Sequence, residues 1–278
     1  MHDRPGPGPN PTHPAGCTPM PLPPQGPQRV VIVGGTAGIG LACAHRLATA
    51  GTRAIALVGR SAERGTKAQA ELRAAHPGLD VRFLRGDGAD APQAIAVVQE
   101  ATGHFGGLDA LVSCAGGDVM PRLLAKVATH EVMPMLAQVA ACVILPARAA
   151  YEVMRAQGAG AIVCVASDAG KIATPGESVI GAAMAAIAMF CRGMAIEAKR
   201  DGVRVNCVTP SIVQGTPLYD RLQQDAFSQR LFAKAEALAS LGVATADDVA
   251  ELIAFLAGPA SARITGQTVS VTGGISAA

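Results

Sequence analysis

Short, uninterrupted hydrophobic runs alternate along the chain with longer segments of helical periodicity. The first run covers residues 30–33, and an Ala- and Leu-rich helical pattern follows it and closes at Gly51. A run that is hydrophobic throughout, rather than at alternate positions, is typical of a strand covered by helices on both faces. The pattern therefore predicts an α/β fold with a doubly wound parallel sheet and right-handed crossovers. A second hydrophobic run lies at residues 54–58, and further strands are predicted near residues 81–84, 110–113, 161–166, 203–208 and 267–272.

The first 28 residues do not share this pattern. Proline and glycine dominate residues 1–28, and such a segment is typical of a polyproline-like or disordered tail. It holds no hydrophobic stretch of the kind found in a secretory signal. We therefore expect one domain over residues 29–278. The most hydrophobic helical stretch, residues 179–191, is too short for a membrane span and predicts a buried or interface helix instead.

Composition narrows the functional class. Half of the residues are hydrophobic, 16% are charged and the formal net charge is +2, without a clustered basic stretch, which argues against nucleic acid as a partner. The cysteines form no C-x-x-C pair and no Cys/His cluster, so we expect no metal site, and reduced thiols in a cytoplasmic protein. Six of the seven cysteines lie among hydrophobic neighbours: Cys43, Cys114, Cys142, Cys164, Cys191 and Cys207.

A glycine-rich turn joins the first predicted strand to the first predicted helix. Residues without a Cβ allow the backbone N–H groups of a helix N-terminus to approach a pyrophosphate. The spacing is G-x-x-x-G-x-G, and its place after the first strand of a repeated β/α pattern favours dinucleotide binding over a plain tight turn. We expect contacts to the cofactor from Gly34, Thr36, Gly38, Ile39 and Gly40.

The end of the second predicted strand indicates which dinucleotide is bound. Arg60 lies there, where the adenosine ribose is expected, and Ser61 follows it. An acidic residue at this point would bind the 2′-hydroxyl of the ribose, whereas an arginine suits a 2′-phosphate. Arg60 and Ser61 therefore favour NADP(H) over NAD(H).

These features, with several motifs further along the chain, resemble the short-chain dehydrogenase/reductase family over essentially all of residues 29–278. The family's T-G-x-x-x-G-x-G turn matches residues 33–40, with valine in place of the threonine. The resemblance implies a single-domain Rossmann-like doubly wound parallel sheet. It also implies cofactor-binding roles for Asp87, Ala115, Gly116 and Thr216. The other matching segments are Arg204-Val205-Asn206, Pro210-Ser211, Thr216-Pro217, Thr265-Gly266-Gln267 and Gly273-Gly274.

The chain departs from the family at the catalytic positions. The resemblance implies a serine that polarises the carbonyl, a tyrosine that moves the proton, and a lysine that lowers the pKa of the tyrosine. Ser167 matches the serine, whereas the tyrosine position falls on Ile180 and the lysine position on Met184. The family's asparagine, which anchors a water relay, falls near Val139, with Gln138 adjacent.

No other tyrosine is close enough in the sequence to replace the missing one. The chain has two tyrosines, Tyr151 and Tyr219, and neither lies between Ser167 and Asn206. Removing general acid–base help costs a rate factor of roughly 10²–10⁴. Our first hypothesis is therefore a catalytically silent or altered subunit of an oxidoreductase assembly, as a homo- or hetero-oligomer with a homologue of the same family.

Two other hypotheses stay open. An active NADP(H)-dependent oxidoreductase, or a non-redox enzyme, could use non-standard proton donors: Tyr219 in the expected substrate loop, or Asp168, Lys171 and Glu177 near Ser167. A nucleotide-sensing regulator would keep the glycine-rich turn and need a partner protein. A silent subunit leaves open whether any nucleotide is bound, and the sequence does not identify a substrate.

Overall fold

Within the described part of the chain, residues 26–116 and 118–277 of a computed structural model, seven parallel strands form one sheet. Their order is β3-β2-β1-β4-β5-β6-β7, which confirms the predicted Rossmann-like doubly wound fold. The strands are β1 (Arg29–Val33), β2 (Ala54–Gly59), β3 (Asp80–Arg85), β4 (Ala110–Ser113), β5 (Gly160–Val165), β6 (Val203–Pro210) and β7 (Thr268–Val271).

Helices connect the strands and cover both faces of the sheet. The first, second and last of them pack on one face, and the third, fourth and fifth pack on the other. The sixth and seventh lie in the connection between β6 and β7 and form a lid at the carboxyl ends of the strands. The helices are α1 (Gly38–Thr49), α2 (Ala62–Ala75), α3 (Ala91–Phe105), α4 (Thr129–Gln157), α5 (Ser178–Ala198), α6 (Pro217–Gln224), α7 (Ala226–Leu238) and α8 (Ala246–Ala257).

Alternate residues of a strand face opposite helical layers, which explains the uninterrupted hydrophobic runs. In β1, Val31 and Val33 belong to the core beneath α3, α4 and α5, whereas Val30 and Ile32 belong to the core beneath α1, α2 and α8. All four side chains are buried. Neither face of this strand meets water, so neither face selects polar residues.

Helices α4 and α5 correct one expectation from the sequence. We predicted that the hydrophobic stretch at residues 179–191 is too short for a membrane span, but Thr129–Gln157 and Ser178–Asp201 are both long and apolar enough by length and composition alone. Both helices pack against the sheet, and Met154 and Ile187 are among their fully buried side chains. Their hydrophobic character is that of helices which supply one layer of a core.

The predicted tail lies outside the described residues up to residue 25. Residues 26–28 pack against the domain. The carbonyl oxygen of Pro27 accepts a hydrogen bond of 2.7 Å from the hydroxyl of Thr52, and the backbone N–H of Gln28 donates to Asp109 at 3.2 Å. The packed domain therefore includes the last residues of the segment that we assigned to the tail.

At the amino ends of β5 and β6, two glycines bring neighbouring chain turns into contact. Gly158 follows α4 and Gly202 follows the short turn after α5, with φ values of +71° and +72°. A Cβ on Gly202 would lie 2.1 Å from the carbonyl oxygen of Gly158. Since β5 begins at Gly160 and β6 at Val203, both connections into the sheet are very short.

Candidate active site

A large cavity lies at the carboxyl ends of the strands, between the sheet and the lid helices α6 and α7. The strand order reverses direction between β1 and β4, and open α/β sheets bind ligands at such a point. The cavity volume is about 1310 Å³. A pocket for one small ligand has a volume of roughly 300–1,000 Å³, so this cavity has room for a dinucleotide and a substrate together.

The glycine-rich turn after β1 forms one end of the cavity and leaves no space for a Cβ at Gly34 or Gly40. Gly34 has φ +83°, and a Cβ there would lie 2.8 Å from the backbone of Ala115. A Cβ on Gly40 would lie 2.1 Å from the carbonyl oxygen of Gly34. The first N–H groups of α1, which have no acceptor within the helix, are thereby held at the cavity and fit a pyrophosphate. All five residues predicted here line the cavity: Gly34, Thr36, Gly38, Ile39 and Gly40.

Arg60 lies at the cavity as predicted and pairs with a carboxylate across the cleft. Its Nη2 atom is 2.7 Å from Oδ2 of Asp118, and Oδ1 of Asp118 is 3.4 Å from Nη1 of Arg221 on α6. The hydrogen bond from Arg60 is the largest of the effects that lower the pKa of Asp118. Ser61, in contrast, does not line the cavity, because its side chain caps α2 by accepting a hydrogen bond from the N–H of Arg64 at 3.3 Å.

The four cofactor contacts that the family resemblance implied also reach the cavity. The carboxylate of Asp87 accepts a hydrogen bond of 2.9 Å from the N–H of Ala89 and so fixes the turn before α3. Thr216 caps α6 by accepting from the N–H of Tyr219, and a Cβ on Gly38 would lie 3.3 Å from the Thr216 side chain. The start of the lid therefore rests on the glycine-rich turn. The cavity-lining members are Asp87, Ala115, Gly116 and Thr216.

Ser167, at the end of β5, lines the cavity beside an apolar surface of α5. Its hydroxyl oxygen accepts a hydrogen bond of 3.2 Å from the N–H of Ala169. Ile180 and Met184 line the cavity at the positions expected for the tyrosine and the lysine. A Cβ on Gly170 would lie 3.0 Å from Cβ of Met184, so the turn after Ser167 packs directly on α5. The α4 residues at the expected asparagine position, Gln138 and Val139, also line the cavity.

Two carboxyl groups lie next to this apolar surface. Glu177, at the start of α5 and one turn before Ile180, lines the cavity and makes no capping hydrogen bond. Burial raises the pKa of Glu177 to about 7. Asp168 also lines the cavity at 5% exposure, and its Oδ1 atom has no hydrogen-bond partner within the described residues. A carboxyl group with a pKa near neutral can both give and take a proton.

The other predicted proton donors, Tyr219 and Lys171, are hydrogen-bonded to other side chains, and of the two only Tyr219 lines the cavity. The hydroxyl of Tyr219 donates to Oε1 of Glu236 at 3.0 Å, and burial, together with this hydrogen bond, raises the pKa of Tyr219. Lys171 is hydrogen-bonded to the hydroxyl of Ser270 on β7 and does not line the cavity. Tyr151, on α4, donates to an aspartate that follows α5, again away from the cavity lining.

The family model for short chain dehydrogenases matches residues 28–226. The chain belongs to this family. The match includes β1 to β6, the glycine-rich turn and Ser167, so the cofactor end of the cavity and the candidate catalytic region both lie within it.

Curated relatives of this short-chain dehydrogenase include reductases and dehydrogenases. It is 34% identical over 247 residues to the short-chain reductase protein NovJ of Streptomyces niveus, covering 88% of this chain and 92% of NovJ. It is 35% identical over 257 residues to the cis-4-hydroxycyclohexanecarboxylate dehydrogenase of Sinomonas cyclohexanicum, covering 90% and 97% of the two chains.

Solved structures match over the same extent. Levodione reductase superimposes with a TM-score of 0.82 at 27% identity, over 89% of this chain and 97% of that one. An NADPH-bound short-chain oxidoreductase from Pseudomonas aeruginosa PAO1, described as containing an atypical catalytic center, has a TM-score of 0.81 at 30% identity, over 90% and 97%. Family membership and an unusual catalytic centre therefore occur together in a structural neighbour.

Two charged residues of the cavity escaped the sequence analysis. Asp118 and Arg221 lie 103 positions apart, and Asp118 and Arg60 lie 58 positions apart, so no local spacing reveals their pairing. The sequence contained a weaker signal for Asp118 than a local motif would give. Asp118 is an isolated acid just after the Ala115-Gly116 motif, at the edge where the ends of parallel strands meet.

Proposed function

We propose that this short-chain dehydrogenase is an active NADP(H)-dependent oxidoreductase in which Glu177 moves the proton that a tyrosine moves in the family pattern. The observation that carries the proposal is a half-buried carboxyl in the cavity, one helical turn before Ile180, whose desolvation raises its pKa to about 7. Burying a carboxyl costs free energy, and a silent subunit gains nothing from that cost. The active enzyme therefore replaces the silent subunit as our main hypothesis.

The chemistry needs a proton source beside the reacting carbonyl. NADPH, when bound, supplies a hydride to the carbonyl carbon of the substrate. The protonated carboxyl of Glu177 donates its proton to the carbonyl oxygen, so that an alcohol, the oxidised dinucleotide and the Glu177 carboxylate result. In the reverse direction the carboxylate takes the proton from the alcohol. The hydroxyl of Ser167 donates a hydrogen bond to the same oxygen and polarises the carbonyl.

The preference for NADP(H) over NAD(H) is supported by Arg60 at the end of β2 and by the NADPH-bound neighbour. The glycine-rich turn supports pyrophosphate binding, because its close packing at Gly34 and Gly40 holds the first N–H groups of α1 at the cavity. The apolar surface of Met184 offers no hydrogen bond to the nicotinamide ribose. We therefore expect weaker binding of the nicotinamide half than a lysine would provide.

We further propose that the protein works as an oligomer in the cytoplasm, without a membrane or nucleic acid as partner. The outer face of α5 supports the oligomer, because Met189 and Ile196 on this face are each 63% exposed. Large exposed hydrophobic side chains that recur along one helix face are typical of subunit interfaces. The packing of α4 and α5 on the sheet supports a soluble protein.

The test replaces Glu177 with an isosteric residue that cannot titrate. In Glu177→Gln, NADPH-dependent reduction of a panel of ketones, and NADP⁺-dependent oxidation of the matching alcohols, should fall by a factor of roughly 10²–10⁴. In the active wild-type enzyme, ketone reduction should fall as the pH rises above 7, because reduction needs the protonated carboxyl. NADPH affinity, measured by calorimetry, should stay the same.

Glu152→Gln serves as the matched control, because Glu152 lies on α4, pairs with Arg148 and does not line the cavity. Full activity in Glu177→Gln would overturn the assignment. Loss of activity in Asp168→Asn alone would move the role to Asp168. NADPH binding without turnover of any substrate would instead favour a silent subunit or a nucleotide-sensing regulator.

A further inference from the structure

Two arginines from different parts of the fold meet on one carboxylate inside the cleft. Arg60 comes from the end of β2, Asp118 from the loop after β4, and Arg221 from the lid helix α6. The distances are 2.7 Å from Arg60 to Oδ2 and 3.4 Å from Arg221 to Oδ1 of Asp118. Each oxygen of the carboxylate thus has its own guanidinium partner, and all three residues line the cavity.

We propose that Arg60 and Arg221 together form a binding site for a phosphate group of the dinucleotide, and that Asp118 occupies this site as an internal competitor. Asp118 stands in for the ligand because a carboxylate and a phosphate present similar oxygens to arginine forks. The inference rests on the proposed function only for the identity of the ligand as a dinucleotide. It does not depend on Glu177 or on turnover.

Charge makes phosphate the better occupant. Two guanidinium groups carry two positive charges, and the Asp118 carboxylate neutralises only one of them. The 2′-phosphate of NADPH is a monoester, which carries a charge of about −1.5 to −2 near pH 7 and has three acceptor oxygens, so it satisfies both arginines at once. The pair is also easy to displace, because about half of each side chain of Arg60 and Asp118 is exposed to solvent.

The exchange would couple cofactor binding to the lid. Arg221 belongs to α6, and the start of α6 at Thr216 already rests beside Gly38 of the glycine-rich turn. While Asp118 holds Arg221, the lid is tied to the loop after β4. Once phosphate replaces Asp118, the lid is tied to the dinucleotide, so the cofactor itself becomes part of the wall that covers the substrate.

The experiment measures dinucleotide affinity in Asp118→Asn, which keeps the side-chain shape and removes the competing charge. NADPH should bind up to about fivefold more tightly, because half-exposed ion pairs contribute at most about 1 kcal/mol. Arg221→Gln should bind NADPH more weakly than the wild type. In the double variant Asp118→Asn/Arg221→Gln, part of the gain should disappear, since Asp118 competes for Arg221 as well as for Arg60.

The matched control is Asp220→Asn, which removes an acidic charge from α6 next to Arg221 at a residue without an ion pair in the described ranges. NADPH and NADH distinguish the two sources of phosphate. A gain for NADPH alone assigns the 2′-phosphate to the site, and an equal gain for both assigns the pyrophosphate. Thermal unfolding without nucleotide verifies that the variants are folded.

Three outcomes would overturn the inference: unchanged affinity in Asp118→Asn, weaker affinity in Asp118→Asn, or a gain that Arg221→Gln does not reduce. These failures are separate from failure of the proposed function. An inactive protein that binds NADPH more tightly as Asp118→Asn supports the phosphate site while rejecting the catalytic role of Glu177. Wild-type and Asp118→Asn proteins that bind neither nucleotide would reject both.

Discussion

Burial, more than any neighbouring charge, determines the chemistry of Glu177. Its side chain lies at the start of an apolar helix, and desolvation is the cause that raises its pKa to about 7. A group with this pKa is about half protonated at neutral pH, so the same residue serves both directions of a hydride-transfer reaction. The tyrosine of the family pattern needs a lysine to reach this range, whereas a buried carboxyl reaches it without a cation.

The raised pKa has a consequence for stability that can be measured without a substrate. Between the ordinary pKa of 4.5 and about 7, the folded protein keeps the Glu177 proton while the unfolded chain releases it. Folding stability therefore falls with increasing pH across this window, and Glu177→Gln removes that loss. We expect the variant to gain about 1–3 kcal/mol relative to the wild type between pH 4.5 and pH 8.

Denaturant unfolding of both proteins across this pH range measures the difference, in which the contributions of all other groups cancel. Glu152→Gln should show no such gain, because Glu152 is an exposed partner of Arg148. A pH-independent difference between Glu177→Gln and the wild type would show that the carboxyl of Glu177 titrates normally. It would then be a poor proton donor at neutral pH.

At this scale the sequence identified residues but not their surroundings. The family motif placed Ser167, and the positions after it suggested Glu177 as one of several candidates. Which candidate is buried, and which is engaged, depends on contacts made across the fold. The sequence favoured Tyr219 over Lys171 and Glu177 as the proton donor, but Glu236 holds the Tyr219 hydroxyl and Ser270 holds Lys171.

At the scale of elements, the turn between β1 and α1 is the part of the site with the least freedom. Its backbone passes so close to itself and to the loop after β4 that glycine is the one residue type that fits at Gly34 and Gly40. The same crowding brings the first turn of α1 to the cavity. The close packing that determines the shape of the turn therefore also enables it to bind an anion.

Adding a methyl group at Gly40 should affect both the stability of the fold and the affinity for the dinucleotide. In Gly40→Ala the new Cβ would meet the carbonyl oxygen of Gly34 at 2.1 Å, which the backbone can relieve only by moving. We expect a loss of about 1–3 kcal/mol in the free energy of unfolding, and NADPH affinity reduced at least tenfold. Thermal unfolding and calorimetry measure the two effects.

The control is Gly103→Ala in α3, where a Cβ would meet no heavy atom within 4 Å. Alanine favours a helix over glycine, so this variant should be more stable by about 0.5–1 kcal/mol, with unchanged NADPH affinity. Normal NADPH affinity in Gly40→Ala would show that the turn does not hold the pyrophosphate.

The sheet could be predicted from the sequence, whereas the lid could not. Strands β1, β2, β4 and β5 are hydrophobic runs because both of their faces are buried, and such runs are visible in the sequence alone. The edge strands β3 and β7 are partly exposed and carry polar residues. Helices α6 and α7 pack mainly on a small cluster around Ile212, Leu222 and Phe232, so few of their positions are constrained to be hydrophobic. Thr216 and Pro217 do carry a helix-start signal, a capping hydroxyl followed by proline, and α6 begins there.

At the scale of the whole molecule, one helical layer has an outer surface that is unusually apolar for contact with water. On α5, Met189 and Ile196 are each 63% exposed, among small residues that let a partner helix approach closely. We propose that this face joins two copies of the chain or one copy and a homologue. The composition of the helix led to the same expectation from the sequence, but the exposed side became evident only from the packing.

The double variant Met189→Asp/Ile196→Asp should convert the oligomer to a monomer, because two charges would be buried at the contact without partners. Analytical ultracentrifugation of the wild type and the variant measures the change. Leu241→Asp is the control, since Leu241 is 88% exposed but lies outside α5. A monomeric wild type, or an oligomer that persists in the double variant, would contradict the interface.

The contact between Gly158 and Gly202 has an evolutionary consequence. Both turns hold a glycine in the left-handed region, and a Cβ on Gly202 would collide with the carbonyl oxygen of Gly158. An insertion at the amino ends of β5 and β6 would have to alter both connections together. We therefore expect loop length to vary at the carboxyl ends of the strands, where the lid and the loop after β4 lie. Proteins that descend from this chain can thus acquire new substrates through longer loops at the carboxyl ends of the strands, while the turns at the amino ends keep their length.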